Sequence, residues 1–542
     1  MLIDFPFICD LNLAMNPKVC LLAAGNGTRM GHYSEVINKA LLPIHKKAII
    51  SHIIEKFPPQ TEFVIALGYK REQVIDYLAI AHPDLIFTFV HVANYDGPGS
   101  GPGLSAYDCK NALNSAFYLV CCDTLWQEDV SIFPQSQNWM AVATSKKEDS
   151  INYCNVDVAN CKVIELHDKK AMDSETILSF TGLLFIKDFE IFWKDLEDAQ
   201  LIKNEKQISG GLLSMIQERK LEAHIITWTD VGTKQKYIHE LKKFENFDFS
   251  KATEFIYIFG DNVIKFFQNP EIAELRVKKA QINSGVFPTI KQHRNNFYSY
   301  NYQAGETLYK HVGSDIFQSL LNWLDHDVWK RKNISPIEMQ NKCEIFYREK
   351  TLARLALFEE RYGDNDKIRS INNEIVPTAR VLLQNLNWTE LYQGEAFFIH
   401  GDLQPDNIIY DIAKKKFTLI DWRQEFAGQI DFGDIYYDLA KLSGGINLNY
   451  GQIKMNNFTY SESENSCQFL FPTHQNALEA NAQLEKYIFE RGYSPAKVRL
   501  LVGLIYLNMS PLHHWPFDKM LHAMGRERLY QIERQKSDVK RD

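Results

Sequence analysis

Residues 21–29 read LLAAGNGTR, and they continue an apolar run that begins at Val19. A run of that length and composition is a buried strand, and the two glycines that follow it let backbone N–H groups approach a polyphosphate. Arg29 adds a fixed, bidentate positive charge. About ten residues on, residues 38–43 read NKALLP, and Lys39 offers a second cation for a phosphate group. A strand opening into such a loop is the start of an α/β unit.

The rest of the first half agrees. Apolar runs at 62–67, 85–92, 116–122 and 140–144 alternate with amphipathic stretches such as 72–79, the pattern of a parallel sheet covered by helices. At 240–250 the text turns charged and aromatic (ELKKFENFDFS), which places a domain boundary there. Beyond it, 255–258 and 262–267 read as paired strands around Gly260, 270–281 as a helix, and 315–385 and the last stretch of the chain as mostly helical. The predicted organisation is an extension over 1–16, one domain over 17–245 and a second over 250–535.

The pair G-x-G-T-R and N-K-A-L-L-P resembles the signature of nucleotidyltransferases that couple an NTP to a phosphorylated sugar or amino alcohol. The resemblance covers about residues 17–245 and implies a Rossmann-like mixed sheet, with Gly25, Gly27 and Thr28 on the nucleotide and Arg29 and Lys39 in catalysis. It also implies Mg2+ on two aspartates: Asp123, closing YLVCCD at 118–123, and Asp230, inside WTDVGT at 228–233. Two carboxylates from distant segments on one divalent ion would offset charge while pyrophosphate is displaced. Lys169, at the end of VIELHDK, stands where the family's phosphate-contacting lysine lies. Thr181-Gly182 resembles a T-G that lines the acceptor site, and the loop 95–105 with Gly103 takes the place of the segment that closes on base and ribose. Lys46-Lys47-Ala48 departs from the usual G-K-P, which puts Lys47 in question as a ligand.

A second constellation lies at 397–410, FFIHGDLQPDNIIY, followed by FTLID at 417–421. In the kinase template one aspartate takes or orients the substrate hydroxyl, an asparagine holds Mg2+, and a later aspartate bridges metal and phosphates. Asp402, Asn407 and Asp421 fit those roles in that order. The H-G-D and I-D-W forms resemble the aminoglycoside-phosphotransferase and choline-kinase group, over about residues 250–535, implying a bilobal protein-kinase-like α+β domain that uses ATP. Lys265 in VIKFF is its expected phosphate-pairing lysine, with Glu274 or Glu271 as the helix acid that holds it. Asp434 in GDIYYDLA is expected to brace the catalytic loop. Arg423 is read as meeting a phosphate or pairing with Glu425 or Asp431, and the PLHHWPF stretch at 511–517 as packing or pocket lining.

Together these imply consecutive steps: ATP phosphorylates a small hydroxyl compound, and an NTP then converts the phosphate to an NDP-linked product for surface polysaccharide synthesis. The acceptor stays open between a sugar or polyol and an amino alcohol such as choline, and the base between CTP and UTP, dTTP or GTP. A quaternary ammonium would need an aromatic cage, for which Trp422, Tyr436, Tyr437 and Trp515 are the candidate rings. One domain acting as a silent, regulatory module is the alternative of another class.

The bulk properties fit. Of 542 residues, 45% are hydrophobic and 24% charged, an ordinary globular composition that excludes bulk disorder. A net charge of −8 without a long basic run speaks against a nucleic-acid partner. No stretch approaches the ~18 apolar residues of a membrane span, and the N-terminus lacks a basic leader. Nine cysteines without CxxC pairing read as reduced thiols, hence a cytoplasmic protein with small-molecule partners, a homo-oligomer being compatible.

Overall fold

The computed structural model of the protein describes residues 17–174, 176–243, 253–311, 314–363 and 370–539; the expected extension over 1–16 and residues 244–250 of the expected boundary lie outside them. The chain forms two compact units, residues 1–244 and 245–542.

In the first unit, β1 (Lys18–Ala23), β2 (Glu62–Leu67), β3 (Ile86–His91) and β4 (Phe117–Cys121) run parallel, with α1 (Arg71–Ala81) between β2 and β3 and α2 (Pro102–Asp108) between β3 and β4. Leu21 of β1 lies opposite both Ile65 and Val120. A central parallel strand is covered on both faces, so it reads as a continuous apolar run; Val19, Cys20 and Leu21 are all fully buried. Then come β5 (Thr124–Trp126), β6 (Asn138–Ser145), β7 (Cys154–Ala159), β8 (Lys162–Asp168), β9 (Ile177–Ile186), β10 (Leu221–Ile225), β11 (Trp228–Asp230) and α3 (Lys234–Lys242). The nine-stranded sheet has the order β3-β2-β1-β4-β9-β6-β10-β8-β7. Because β9 is antiparallel to both β4 and β6, the sheet is mixed, as expected for this fold class. The glycine loop follows the C-terminal end of β1 and Asp123 follows that of β4, so both leave the sheet at one edge, where α/β folds bind ligands.

In the second unit, β12 (Glu254–Phe259), β13 (Asn262–Phe267), α4 (Pro270–Ile282), β14 (Ile290–Arg294) and β15 (Phe297–Asn301) build a four-stranded antiparallel sheet and its helix. The remainder is mainly helical. It includes α5 (Lys350–Tyr362), the hairpin of β16 (Ile408–Asp411) and β17 (Lys416–Leu419), α6 (Ile435–Asn447), α7 (Pro495–Met509) and α8 (Phe517–Val539). All residues of α6 from Ile435 to Ile446 are buried, which makes it the central helix against which the loop at 400–407 is fixed. Among the described residues no helix is long and apolar enough to cross a membrane.

Candidate active sites

The first site is assembled around Lys39. Asn38 caps the turn that carries this lysine: its Oδ1 accepts from Ala40 N at 2.9 Å, while its Nδ2 donates to Ala23 O at 3.1 Å and Tyr69 O at 2.7 Å. The N-K pair is thereby tied to the end of β1. Gly27 sits at φ +64°, a conformation favouring glycine, and starts the turn Thr28–Met30, on which Thr28 and Arg29 are exposed. Lys39 Nζ donates to Asp123 Oδ2 at 2.7 Å and to Gly232 O at 3.2 Å. Burial alone would raise the Asp123 pKa, but the charge and hydrogen bond of Lys39, with help from Arg29, hold it below the usual carboxylate range.

Asp230 reaches the same place because β11 pairs with β5, setting Asp230 opposite Thr124, and Val231 N donates to Asp123 O at 3.1 Å. Its Oδ1 accepts from Gly232 N at 2.7 Å; its Oδ2 accepts from Tyr153 Oη at 2.5 Å and Lys236 Nζ at 2.9 Å. A Cβ placed on Gly232 would lie 2.8 Å from Asp230 Oδ1 and 3.0 Å from Asp123 Oδ2. The two carboxylates therefore face one small space, kept open by a glycine. Such a pair of hard oxygen donors suits a divalent cation such as Mg2+.

The second site is built on the loop at 400–407. His400 is fully buried; its Nδ1 accepts from Asp402 N at 3.1 Å, so Nε2 carries the proton toward Ile420 O at 2.9 Å. Burial lowers its pKa to about 4, which keeps it a neutral strut. Asp438 of α6 accepts from His400 N at 2.8 Å, Gly401 N at 2.7 Å and Trp329 Nε1 at 3.1 Å. Asn407 Nδ2 donates to Asp402 O at 2.8 Å, and Ile420 N to Asn407 O at 2.9 Å, so Asp402, Asn407 and Asp421 are held on adjoining backbone. Asp402 Oδ1 accepts from Lys441 Nζ at 2.6 Å. Asp421, at φ +56°, is ion-paired with Lys265, which projects from β13.

Comparison with known proteins finds a family for part of each unit. A family model described as "MobA-like NTP transferase domain" matches residues 19–149, and one described as "Phosphotransferase enzyme family" matches residues 337–455. The chain joins an NTP transferase domain to a phosphotransferase domain. The "Bifunctional protein GlmU" of Methanocaldococcus jannaschii is 25% identical over 216 residues, 39% of this chain and 50% of that protein. The protein of the same name from Methanococcus vannielii is 27% identical over 221 residues, 39% of this chain and 51% of its own length. This chain thus spans about half the length of the curated relatives it matches. Among solved structures, a UDP-glucose pyrophosphorylase complexed with UDP-glucose is 19% identical, with a TM-score of 0.37, over 42% of this chain and 98% of its own.

Within the transferase domain, the other expected residues are placed differently from Asp123 and Asp230. Lys169, at φ +50°, donates to Glu205 Oε2 at 2.5 Å. Thr181 gives its hydroxyl to Ala141 O at 3.1 Å inside the sheet. Gly182 marks the irregularity between Phe180 and Leu184 where β9 passes Cys121: at φ +93°, a Cβ there would lie 2.9 Å from Cys121 Cβ. Gly103 is buried, donates its N–H to Lys206 O at 2.9 Å, and would put a Cβ 2.6 Å from Gln207 O. It packs α2 onto residues 206–207, whereas Gly25 meets nothing within 4 Å. Lys47 pairs with Glu55 at 2.5 Å. Tyr153 and Lys236, both on Asp230, escape the sequence reading because neither lies in a recognisable motif.

In the phosphotransferase domain three expectations need correction. Glu274 is exposed and pairs with Lys278 at 2.6 Å, and Asp421 is the carboxylate on Lys265; Arg276 is among the buried residues of α4, its guanidinium 4.6 Å from the Phe267 ring centre. The loop is braced by Asp438 rather than Asp434. Asp434 caps α6 and binds Tyr347 Oη at 2.8 Å and Lys497 at 3.3 Å, and the residue one turn later reaches the loop. The four candidate cage rings do not converge: Trp422 is fully buried and donates to Arg276 O at 2.9 Å, Tyr436 packs on Lys497 and Tyr493, and Trp515 is 64% exposed. Arg423 pairs with Glu425, its Nη2 3.9 Å from Glu425 Oε1 and its Nε donating to Glu425 O at 3.1 Å, and His513 packs against Phe517 at 4.8 Å between ring centres. A residue the motif reading passed over is Asp406, whose buried Oδ1 accepts no hydrogen bond among the described residues; burial and then the Asp402 charge raise its pKa to about 6.

Proposed function

We propose that the phosphotransferase domain phosphorylates a small hydroxyl compound with ATP, and that the transferase domain couples the resulting phosphate to an NTP. The product is an NDP-activated sugar or a CDP-alcohol, the form of building block used in surface polysaccharide synthesis. The observation that carries the reading is that both sites are complete at once: Asp123 and Asp230 face one space beside Lys39, and Asp402, Asn407, Asp421 and Lys265 are held together in the other unit.

In the first step the acceptor oxygen bonds to the γ-phosphorus of ATP, the bond from that phosphorus to the β–γ bridging oxygen breaks, and ADP leaves. Asp402 takes the hydroxyl proton. His400 and Asp438 act through the loop, holding Asp402 in place rather than touching substrate. In the second step an oxygen of the new phosphate bonds to the α-phosphorus of the NTP, and the α–β bridging bond breaks to release pyrophosphate. The glycine loop admits the nucleotide, and Lys39 and Arg29 supply positive charge where the leaving group forms. Asn407 and Asp421 in one site, and Asp123 and Asp230 in the other, would hold Mg2+, which supplies charge neutralisation of the phosphates.

Separate variants test this. Asp402→Asn should abolish ADP release yet spare pyrophosphate release when phosphorylated acceptor is supplied, and Asp230→Asn should do the reverse. Loss of both activities in either folded variant would overturn the two-site account, and persistence of both in excess chelator would remove the metal roles.

A further inference from the structure

Four cationic side chains gather near Asp402 in the phosphotransferase unit, Lys350, Arg354, Lys441 and Arg423; Lys441 faces Asp402 and Arg423 Nη2 lies 3.9 Å from Glu425 Oε1, while Lys350 and Arg354 stand on the helical side. A π-helical turn, Glu344–Glu349, presents Phe346 and Tyr347 and leads directly into α5. π turns are frequent at functional sites. Lys350 and Arg354, one turn apart at the start of α5, share a face of that helix. Tyr437 and Lys441 are likewise one turn apart on α6, and Lys441 Nζ is 2.6 Å from Asp402 Oδ1. Arg423 is the fourth cation: it follows Asp421 by two residues, and its Cβ would lie 2.7 Å from a Cβ on Gly401, next to Asp402.

Two of these cations, Lys350 and Arg423, lie over an aromatic cluster. Phe346, Phe426 and Tyr437 pack with ring centres 4.1 to 6.3 Å apart. Lys350 Nζ lies 4.1 Å from the Phe346 centroid and 5.6 Å from that of Tyr437, and Arg423 Cζ lies 4.9 Å from Phe346. Of the candidate rings for a quaternary-ammonium cage, Tyr437 is thus covered by Lys350, as Tyr436 is by Lys497. Among the described residues, Lys350 and Arg354 have no carboxylate partner and no hydrogen-bond partner. Burial, and then the charges of Arg423, Lys441 and Arg354, outweigh the attraction of Asp402 and hold Lys350 well below its ordinary pKa; burial and Arg423 lower Arg354. An anion entering the cluster would relieve that repulsion.

We infer that the hydroxyl acceptor of the phosphotransferase domain is itself an anion, a carboxylated or already phosphorylated sugar or polyol, whose charged group is received by Lys350, Arg354 and Arg423 while its hydroxyl meets Asp402. This rests on the kinase reading above and narrows its acceptor. The rival use of the cluster is the γ-phosphate of ATP. Lys265 with Asp421 already marks the nucleotide side from the β12–β15 sheet, whereas Lys350, Arg354 and Lys441 all come from α5 and α6.

The test measures ADP release by the full chain over matched pairs, glycerol against D-glycerate and D-glucose against D-glucose 6-phosphate, with choline as the cationic probe. The anionic member of a pair should have the higher kcat/KM by at least about 10-fold, the scale of one charge-assisted hydrogen bond. Lys350→Gln and Arg354→Gln should raise KM for the anion much more than for its neutral partner and so erase the preference. ADP release with the neutral member of each pair by the same variants reports that the phosphotransferase unit is folded. Preference for choline or a neutral compound would overturn the inference and leave the kinase reading standing. An equal fall in kcat with every acceptor would assign the cluster to the γ-phosphate and also overturn it. ADP release with no compound at all would defeat the kinase reading, and this inference with it.

Discussion

Gly232→Ala is the sharpest probe of the transferase site, because it adds one methyl group and no charge. The backbone at Gly232 is not in the left-handed region, so alanine meets no conformational penalty there. The new Cβ would lie 2.8 Å from Asp230 Oδ1 and 3.0 Å from Asp123 Oδ2, inside normal carbon–oxygen contact. Relief requires Asp230 to give up the bond it accepts from Gly232 N at 2.7 Å, or Asp123 to move from Lys39. Either moves a carboxylate oxygen that lines that space by several tenths of an ångström. Misplacement approaching 1 Å costs about 100-fold in rate, or roughly 2.7 kcal/mol of transition-state stabilisation. Strain on folding should be only about 1–2 kcal/mol, a fall of a few degrees in the melting temperature of the unit. The assay is pyrophosphate release with phosphorylated acceptor and NTP across a Mg2+ titration, with ADP release as the internal control. A drop of about 100-fold in kcat/KM, a higher Mg2+ requirement and unchanged ADP release are expected. Wild-type kinetics and Mg2+ dependence would refute the convergence of the two aspartates on that space.

Further outcomes follow from the same geometry. Asp438→Ala leaves His400 N, Gly401 N and Trp329 Nε1 without their acceptor, so ADP release should fall by at least 10-fold while nucleotidyl transfer stays at its wild-type rate. Lys265→Met should cut ADP release about 100-fold, whereas Glu274→Gln, on an exposed ion pair, should change it less than about 2-fold; the opposite ranking would restore Glu274 as the lysine's partner. His82, buried and hydrogen-bonded to Ser51 Oγ at 2.8 Å, has its pKa lowered to about 4 from 6.5, chiefly by burial. The unfolded chain therefore takes up this proton first, and the first unit loses stability as pH falls from 6.5 toward 4, by on the order of 3 kcal/mol for this group. In denaturant titrations at pH 7 and pH 4.5, His82→Gln should show a smaller loss of stability than wild type; an equal loss would mean that His82 titrates normally.

Much of the fold was legible because its signals are local. The run at 62–67 coincides with β2, and the central strands announce themselves as unbroken apolar text because both faces are covered. Asp123 and Asp230 could be singled out from their motifs, and their meeting at Gly232 then follows from the β5–β11 pairing. What was not legible depends on which way a side chain turns. Asp434 and Asp438 are one helical turn apart on α6, and only packing decides that the first caps the helix while the second reaches the loop. Glu274 and Arg276 differ by two positions on α4, enough to exchange solvent for core. Gly103 and Gly182 resemble ligand-approach glycines in sequence, yet the space beside each is filled by Gln207 backbone and by Cys121. The cationic group over Phe346 has no sequence signature, since its members come from α5, α6 and the segment after β17.

The central claim is that the phosphoryl group placed by one domain is the group the other couples to a nucleotide. ATP labelled in its γ-phosphoryl group, supplied with the acceptor and an unlabelled NTP, follows that group directly. The account predicts that the label passes through the phosphorylated acceptor into the NDP-linked product, with one pyrophosphate released per product. Label that accumulates in the phosphorylated acceptor with every NTP, and never enters a nucleotide product, would contradict it.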